Sequence, residues 1–538
     1  MWQVGCVNYT TLDLLYRAGL RGCVIFFTST AAMAVEINFW ISIPVLTLVY
    51  FLTKHLLHKL HRLPPTPFPI LPLIGHLHLL KTPLHRSLAK LSGSHSHVLF
   101  LRFGSRTVLH VASPTAAEEC LSKNDVVFAN RPRLLSGKYF GYNYTSMPWA
   151  PYGDHWQNLR RISAVEILSS TRLDSLAHIR HHELQSMVLR LFRDNPDSTT
   201  VNLRSEFSGF MFNVMTRMMG GKRYYGSGDS EEAKRFSDVI ADTEEVISET
   251  RILDMLPDLR WVFAGKFEKK FAAVQKRRDD FMQEWIDEFR AGSCLGNQEN
   301  DKTLMQVLLS LQDADPDYYT DEFIKSLSQA LLHGGINTSV ETMEWAMSLL
   351  LNNPLVLNKA QAEIDSVVGY DRLVNETDLS KLPYLQCIIK ETLRMHPTAP
   401  LLLPHESSKD CVVGGYNIPR GTMLFVNVWA IQNDPNIWES PDMFVPERFE
   451  GKESVTKMTD GLIILPFGSG RRRCPGENLA LRIVGLALAS LIQCFDWEHD
   501  GEGLVDMSES GGFTAPKAQP LVAKYRTRSV VAHHLSQM

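Results

Sequence analysis

The ten residues from Phe467 to Gly476, FGSGRRRCPG, constrain the fold of this chain more than any other stretch. They include three glycines, three consecutive arginines and Cys474. An apolar run from Leu479 to Ile492 follows and predicts a buried helix. Cys474 would then lie just before a helix N-terminus, where unpaired backbone N–H groups favour an anion. The sequence therefore predicts a cysteine thiolate in a glycine-rich turn that can approach a flat ligand closely.

This stretch resembles the haem-binding signature F-x-x-G-x-R-x-C-x-G of the cytochrome P450 family. The five fixed positions correspond to Phe467, Gly470, Arg472, Cys474 and Gly476. So many matches within so short a stretch make a chance agreement rare. The resemblance implies haem b as the cofactor, Cys474 as the axial ligand of its iron, and Phe467 and Arg472 as residues that bind the haem. The alternative interpretation is a buried free cysteine at the start of a helix.

The composition of the whole chain indicates which classes of partner and which cellular compartment are compatible with it. A net charge of −4 gives no electrostatic argument for binding nucleic acid. The eight cysteines are scattered without a C-x-x-C pair, which indicates reduced thiols in a protein body that faces the cytosol. A hydrophobic fraction of 44% over 538 residues is compatible with one large core.

An uncharged apolar run from Ile37 to Thr53 is about the shortest that could span a bilayer as a helix. Lys54, Lys59 and Arg62 follow it, and positive residues after a span favour a cytosolic location for the next segment. Because no cleavage site of small residues follows, the run predicts a retained anchor. The alternative interpretation is a buried core helix.

These features divide the chain into four segments. Residues 1–32 are predicted to be an upstream extension, because the usual N-terminal membrane leader would begin at Met33. Residues 33–62 are the predicted membrane anchor, and the proline-rich residues 63–76 are a stiff hinge. Residues 77–538 form the haem-thiolate catalytic domain. By resemblance to microsomal members of the family, we expect a single-pass protein of the endoplasmic reticulum membrane with its catalytic domain in the cytosol.

The pattern of apolar residues predicts a mainly α fold with small β-sheets. Alternation between Val98 and Val111 indicates two short strands around a turn at Gly104-Ser105. Helical patterns then dominate to about residue 400, and short strands follow until the helix after Cys474. The family resemblance implies a large helical lobe and a smaller lobe that contains the sheets.

One long helix is predicted from Thr320 to Asn352, because this segment lacks proline, starts with Thr-Asp-Glu and ends before Pro354. In its middle, the residues GGINT that end at Thr338 resemble the oxygen-binding motif of the family. The resemblance implies that the Thr338 hydroxyl hydrogen-bonds the bound dioxygen. Asn337 stands where the family usually has a carboxylate.

His333 lies one helical turn before Asn337 and shares its face. Because histidine titrates near neutrality, one hypothesis makes His333 the proton carrier that replaces the missing carboxylate. The alternative is that His333 forms a hydrogen bond with a neighbouring helix and that Asn337 merely slows protonation.

Three further residues are expected to bind the haem propionates by resemblance. Trp156 and Arg160 match the W-x-x-x-R helix of the family, and their spacing puts both donors on one helix face. His405 occupies the position where related chains place a second propionate donor. The alternative interpretation is that Trp156 is an ordinary core residue and Arg160 a surface residue. For His405, the alternative is a solvent-exposed histidine.

Glu391 and Arg394 are spaced to pair on one face of a helix. With Arg448 they resemble the structural triad that supports the haem loop in this family. The triad is expected to stabilise the scaffold and to perform no chemistry.

Several local runs resemble a plant subfamily that includes isoflavone 2′-hydroxylase. They begin at Ala150, Gly221, Trp345, Pro404 and Val505. The resemblance implies a monooxygenase that hydroxylates, or oxidises in a related way, a hydrophobic plant secondary metabolite of phenolic or flavonoid type. Since no G-x-G-x-x-G motif follows a predicted strand, the electrons are expected from a separate NADPH–cytochrome P450 reductase.

Other functions stay open at this point. The substrate could be a terpenoid, or the reaction could be oxidative ring closure or phenol coupling without net oxygen insertion. A haem-thiolate isomerase or dehydratase is another alternative, although such proteins tend to lose the hydroxyl that Thr338 keeps. Haem binding without turnover has only Asn337 in its favour.

By resemblance, the substrate pocket is expected to be apolar, with tyrosines as polar contacts. Its expected lining comprises Leu134–Met147 with Tyr139, Tyr142 and Tyr144, then Ala330 and Gly334, Ala399–Leu403, and Phe513–Ala515.

Overall fold

A computed structural model describes most of the chain. The described residues are 58–194, 199–225, 231–256, 260–292, 302–451, 457–458 and 461–538, together with positions 45, 49, 53 and 56. The predicted extension, and the predicted anchor except for residues 45, 49, 53, 56 and 58–62, lie outside the described residues. The chain divides into two units, residues 1–63 and residues 64–538, and the elements below all belong to the second.

Helices make up most of the second unit, as the sequence predicts. The α-helices are α1 (Leu84–Ser94), α2 (Pro114–Glu118), α3 (Asp125–Phe128), α4 (Leu135–Tyr139), α5 (Asp154–Ile162), α6 (Ser170–Ser175), α7 (Ala177–Arg193), α8 (Leu203–Gly220), α9 (Glu231–Met255), α10 (Arg260–Arg290), α11 (Leu304–Ala314), α12 (Asp321–Asn352), α13 (Pro354–Val367), α14 (Pro383–Met395), α15 (Val428–Gln432), α16 (Glu477–Cys494) and α17 (Ser529–Gln537).

The strands are short, which confirms the expected small sheets. They are β1 (Val98–Phe103), β2 (Arg106–Val111), β3 (Thr199–Asn202), β4 (His405–Glu406), β5 (Cys411–Val413), β6 (Tyr416–Ile418), β7 (Met423–Val426), β8 (Lys457–Met458), β9 (Gly461–Leu462), β10 (Phe495–His499) and β11 (Val522–Thr527).

The largest described sheet has four strands in the order β1-β2-β7-β4. Its β1–β2 pair is antiparallel, with Phe103 opposite Arg106, so the turn at Gly104-Ser105 lies where the sequence places it. β2 pairs with β7 in parallel, which brings the residues after 420 back to the first hairpin. A second sheet, β10-β11-β3, joins the C-terminal strands to the start of α8.

α12 forms the centre of the helical body. Its N-cap Thr320 accepts a hydrogen bond from the Phe323 amide, and the helix ends before Pro354, which begins α13. α12 packs against α8 and α16, and buried apolar residues such as Met343 on α12 and Leu486 on α16 form the core there.

The two glycines of α12 have different surroundings. A Cβ atom at Gly335 would lie 2.7 Å from Cε of Met215 on α8, so Gly335 permits close packing of the two helices. A Cβ atom at Gly334 would meet no atom within 4 Å. Only Gly334 therefore leaves open space on the helix surface.

α16 is the one described helix that is long and apolar enough to cross a membrane, and 72% of its apolar window is buried within the protein. Its burial against α12 and α7 accounts for its apolar sequence.

Candidate active site

The cysteine loop begins at Phe467 and leads into α16. The Cys474 amide donates a hydrogen bond to the Phe467 carbonyl at 2.9 Å, which closes the loop. Gly470 has φ +68°, and a Cβ atom there would lie 2.3 Å from the Leu121 carbonyl oxygen. The glycine is thus required both by its backbone conformation and by close packing on the segment after α2.

The ionic triad of Glu391, Arg394 and Arg448 is linked to the chain segment that precedes the cysteine loop. Glu391 contacts Arg394 at 2.7 Å and Arg448 at 3.2 Å, which confirms the predicted grouping. Gln432 donates to the carbonyls of Leu393 and Arg394 and accepts the Leu465 amide at 2.7 Å. Gln432, which the sequence analysis missed, therefore links the triad to the chain just before the cysteine loop.

In the protein alone, burial disfavours the charged form of Cys474, so the predicted thiolate depends on the iron that it would ligate. Burial raises the pKa of the Cys474 thiol, and the Gly476 amide and nearby Arg160 and Arg473 do not reverse this effect. The residue is nevertheless exposed to solvent and is not packed in the core. Coordination to a metal ion deprotonates a cysteine outright, and iron is the charge that would complete the site.

The three consecutive arginines point in different directions. Arg471 contacts Asp125 at 2.6 Å, and Arg473 contacts Glu477 at 2.6 Å, both at exposed positions. Arg472 turns inward and donates only to backbone carbonyls, those of Ala129, Met147 and Ala150. Burial lowers the pKa of Arg472 to about 8, and repulsion from neighbouring arginines adds to this effect.

Arg131 is a buried arginine in the same region, and sequence reasoning missed it. It donates to the carbonyls of Pro148, Leu403 and Pro404 and has no carboxylate partner among the described residues. Burial lowers its pKa to about 9. Two neighbouring cations, one buried and one half-buried, without a carboxylate partner among the described residues favour an anionic ligand nearby.

Trp156 supplies a hydrogen-bond donor near the Arg472 guanidinium. Its ring is buried, and the Arg472 guanidinium lies 4.3 Å from the ring centroid. The indole Nε1–H has no partner among the described residues, although a buried tryptophan N–H normally finds one. An unpaired donor near these cations fits a carboxylate, as a haem propionate would provide.

Arg160 and His405 lie at the edges of this cluster. Arg160 on α5 donates to the Arg473 carbonyl at 2.6 Å, beside the cysteine loop. His405 is buried, not exposed, and its Nδ1–H donates to the Phe128 carbonyl at 2.8 Å. Burial holds the pKa of His405 well below its usual value, so the neutral ring offers Nε2 as an acceptor. His405 could donate to a propionate only as the imidazolium.

Two of the three predicted catalytic residues of α12, His333 and Asn337, contact one carboxylate, whereas Thr338 bonds within its own helix. Oε1 of Glu244 is 3.0 Å from Nε2 of His333 and accepts a hydrogen bond from Nδ2 of Asn337 at 3.1 Å. The Thr338 hydroxyl donates to the Gly334 carbonyl at 2.7 Å. His333 thus contacts a neighbouring helix, α9, as the alternative interpretation holds, but the group that it contacts is an acid.

Glu244 is the main residue that sequence reasoning missed. Burial raises its pKa, but hydrogen bonds from His333 and Asn337 together outweigh burial and hold the pKa below its usual value. Glu244 is far from α12 in the chain, and α9 carries other acidic residues such as Glu245 and Glu249, so no spacing signal distinguishes it.

A cavity of about 240 Å³ adjoins this group of residues. It is lined by Glu244, Ile247, Asn337, Glu341, Gly511, Gly512, Phe513, Thr514 and Pro516. Of the expected pocket lining, only Phe513 and Thr514 belong to it.

The tyrosines that were expected as polar contacts have other partners. The Tyr142 hydroxyl donates to Asp279 of α10 at 2.8 Å, and the Tyr139 ring stacks on Phe271 at 5.1 Å. The Tyr144 ring lies against the Arg133 guanidinium.

Comparisons with known proteins show what this chain is similar to. The family model described as "Cytochrome P450" matches residues 64–522. "Cytochrome P450 81Q32" of Catharanthus roseus is 48% identical over 88% of this chain and 93% of its own. "Isoflavone 3'-hydroxylase" of Medicago truncatula is 45% identical over 90% and 96%, and "Isoflavone 2'-hydroxylase" of Glycyrrhiza echinata is 44% identical over 88% and 93%.

A solved zebra fish cytochrome P450 structure with abiraterone has the same fold. Its TM-score is 0.71 at 23% identity, and the match covers 84% of this chain and 100% of that one.

Proposed function

The chain belongs to the cytochrome P450 family, and from this premise we propose that it hydroxylates a phenolic plant metabolite of flavonoid type with O2 and NADPH. As a member of this family it is a monooxygenase with a haem whose iron has a cysteine thiolate ligand, and it takes electrons from a redox partner. The substrate class is supported by relatives named as isoflavone hydroxylases, which align along nearly the whole chain.

Cys474 is the proposed iron ligand, and the donors near the loop are the proposed propionate site. Trp156, Arg131 and Arg472 supply an unpaired N–H and two cations without a carboxylate partner among the described residues. Arg160 borders the loop, and Phe467 accepts the Cys474 amide. The haem, when bound, supplies the activation of dioxygen, because a thiolate ligand favours O–O cleavage.

Thr338, with Glu244, His333 and Asn337, is proposed to deliver protons during oxygen activation. The Thr338 hydroxyl is bound to the Gly334 carbonyl and can turn toward a ligand, since Gly334 leaves open space. Asn337 cannot titrate, but its Nδ2 is hydrogen-bonded to Glu244 Oε1, and His333 contacts the same oxygen. We assign the proton-carrying role to the pair of Glu244 and His333, and an orienting role to Asn337.

The redox partner is proposed to be an NADPH–cytochrome P450 reductase, and the location the endoplasmic reticulum membrane. The exposed Arg161, whose guanidinium donates to the neutral side chain of Asn158, supports an acidic docking partner on its side of the protein. The apolar run before Lys54 supports the membrane location.

The test is expression of the full chain with a plant reductase in microsomes. Reduced protein with carbon monoxide should show the absorption band of thiolate-ligated haem. NADPH consumption and product mass are then measured with a panel of isoflavonoids and, for the alternative substrate class, terpenoids. Stoichiometric hydroxylation of a phenolic compound is the expected result, whereas turnover restricted to terpenoids would overturn the proposed substrate class.

A further inference from the structure

Glu341 is a buried acid that the proposed mechanism does not use. It lies on α12 one turn after Asn337, and only 7% of the residue is exposed. Its Oε1 accepts a hydrogen bond from the Thr514 hydroxyl at 2.8 Å. Its Oε2 is shielded from solvent and has no hydrogen-bond partner among the described residues, and Glu341 is one of the residues that line the cavity of about 240 Å³.

The charged groups around Glu341 do not provide a partner for it. Glu244 and Glu344 repel its charged form, and Arg204 attracts it. Arg204, however, already contacts Glu344 at 2.8 Å and donates to the Lys517 carbonyl at 2.8 Å. Burial, with repulsion from Glu244, raises the pKa of Glu341 to about 8. Near neutral pH the free oxygen can therefore be either a carboxylic O–H or a carboxylate oxygen.

The cavity is small compared with most ligand sites, and its lining includes both apolar and polar residues. Sites for drug-sized ligands usually enclose about 300–1,000 Å³, so a cavity of about 240 Å³ fits one end of such a molecule. Phe513, Ile247 and Pro516 form an apolar wall that suits an aromatic ring. The polar lining residues suit a group able to donate and accept hydrogen bonds, and they are Glu244, Asn337, Glu341 and Thr514.

We propose that Glu341 is a specificity-determining residue whose free Oε2 binds a phenolic hydroxyl of the substrate, with the ring against Phe513. A hydroxyl fits because it both donates and accepts, so it pairs with Oε2 in either protonation state. A methyl ether cannot donate to the carboxylate and adds a methyl group at a buried polar position. This inference rests on the proposed function and names the substrate feature that the site selects.

The position of Glu341 also suggests which part of the substrate reacts. Glu341 follows Thr338 by three residues, which corresponds to a rise of about 4.5 Å along α12. A hydroxyl bound at Glu341 therefore fixes one end of the substrate about one helical turn from the proposed oxygen-binding position. The oxidised carbon should then lie on the substrate at a distance from this hydroxyl and not on the carbon that bears it.

The experiment compares the binding of a free phenol and its O-methyl ether to the full-length holoenzyme. Binding of one isoflavonoid pair is measured by the change in haem absorption and by equilibrium dialysis. Wild type should prefer the phenol by roughly tenfold, as expected for a buried hydrogen bond. In Glu341→Leu the preference should fall to about one, and in Glu341→Gln, which keeps the shape and one donor or acceptor at this end, part of it should remain.

Ile247→Ala is the matched control, because it removes apolar contact with both ligands and should leave their ratio unchanged. A ratio that does not change in Glu341→Leu, or an amine analogue that wild type binds more tightly than the phenol, would overturn the assignment. The result separates the inference from the proposed function. If phenols are hydroxylated but the ratio of phenol to methyl ether binding is the same in wild type and Glu341→Leu, only the proposed subsite is wrong. If Glu341→Leu loses the preference for the phenol but the enzyme oxidises no phenol, only the proposed reaction is wrong.

Discussion

Arg131, Trp156 and Arg472 show at the scale of single residues why this site needs a ligand. Arg131 and Trp156 are buried and Arg472 is half-buried, and each has donor capacity that the described protein meets only with backbone carbonyls or not at all. A charged donor that lacks an anion raises the free energy of the folded state. An anionic cofactor that supplies this anion should therefore stabilise the folded protein as well as enable its chemistry.

At Cys474, replacement by alanine should abolish monooxygenase activity and the thiolate-type band of the reduced carbon monoxide complex. The physical reason is that no other side chain in the loop can supply a thiolate. The matched control is Cys411→Ala on β5, another free cysteine outside the loop, which should keep the band and the activity. A thiolate-type spectrum in Cys474→Ala would show that the ligand is assigned wrongly.

At Glu244, replacement by glutamine should lower the product formed per NADPH, by roughly tenfold, and raise release of hydrogen peroxide. Glutamine can keep a hydrogen bond to His333 or Asn337 but cannot carry a proton. His333→Leu should act in the same direction, and Asn337→Asp should partly restore coupling in that variant.

The control for Glu244 is its neighbour Glu245, which pairs with Lys270 at 2.8 Å on the exposed side of α9. Glu245→Gln should leave coupling unchanged. Unchanged coupling in Glu244→Gln and His333→Leu, measured with the true substrate, would rule out the proton-carrying role.

At the scale of elements, the cysteine loop is positioned by its packing on the segment from Leu121 to Asp125. Gly470→Ala would place a methyl group 2.3 Å from the Leu121 carbonyl oxygen and also force alanine into a left-handed conformation. The second effect alone costs about 1–2 kcal/mol.

Gly421→Ala isolates that conformational cost, because Gly421 also has positive φ but no atom within 4 Å of an added Cβ. Gly470→Ala should lower the apparent melting temperature more than Gly421→Ala and should also reduce haem content, measured as haem absorbance per mole of protein. Equal effects of the two variants would mean that the loop does not need close contact at Gly470.

At the scale of the whole molecule, Glu341 should make global stability depend on pH. Its pKa in the folded protein is raised to about 8, above the usual value of 4.5, chiefly by burial. A carboxyl group with a raised pKa binds its proton more tightly when folded, so its contribution is complete at pH values below about 4.5 and is lost as pH rises toward 8. Between pH 6 and pH 8 the loss should be on the order of 2 kcal/mol.

The apparent melting temperature of the wild type should accordingly fall by about two degrees between pH 6 and pH 8. Glu341→Gln should be less sensitive over this range, since glutamine does not titrate, whereas Glu245→Gln should behave as the wild type does. Identical pH dependence in wild type and Glu341→Gln would contradict the raised pKa of Glu341.

The sequence by itself determined those features that depend on residues close together in the chain. The glycines and Cys474 of the loop, the ends of α12 at Thr320 and Pro354, and the pairing of Glu391 with Arg394 all follow from local spacing and backbone preferences.

Only the tertiary structure decided which distant side chains meet and what burial does to them. Helix packing brings Glu244 to Asn337 and places Arg131 beside Arg472, although no periodicity links these positions. Burial raises the pKa of the Cys474 thiol where its place before a helix predicts a thiolate, because desolvation outweighs the neighbouring amide and arginines. The same packing buries one oxygen of Glu341 without a partner among the described residues, since burial is a property of the assembled core and not of any local stretch of sequence.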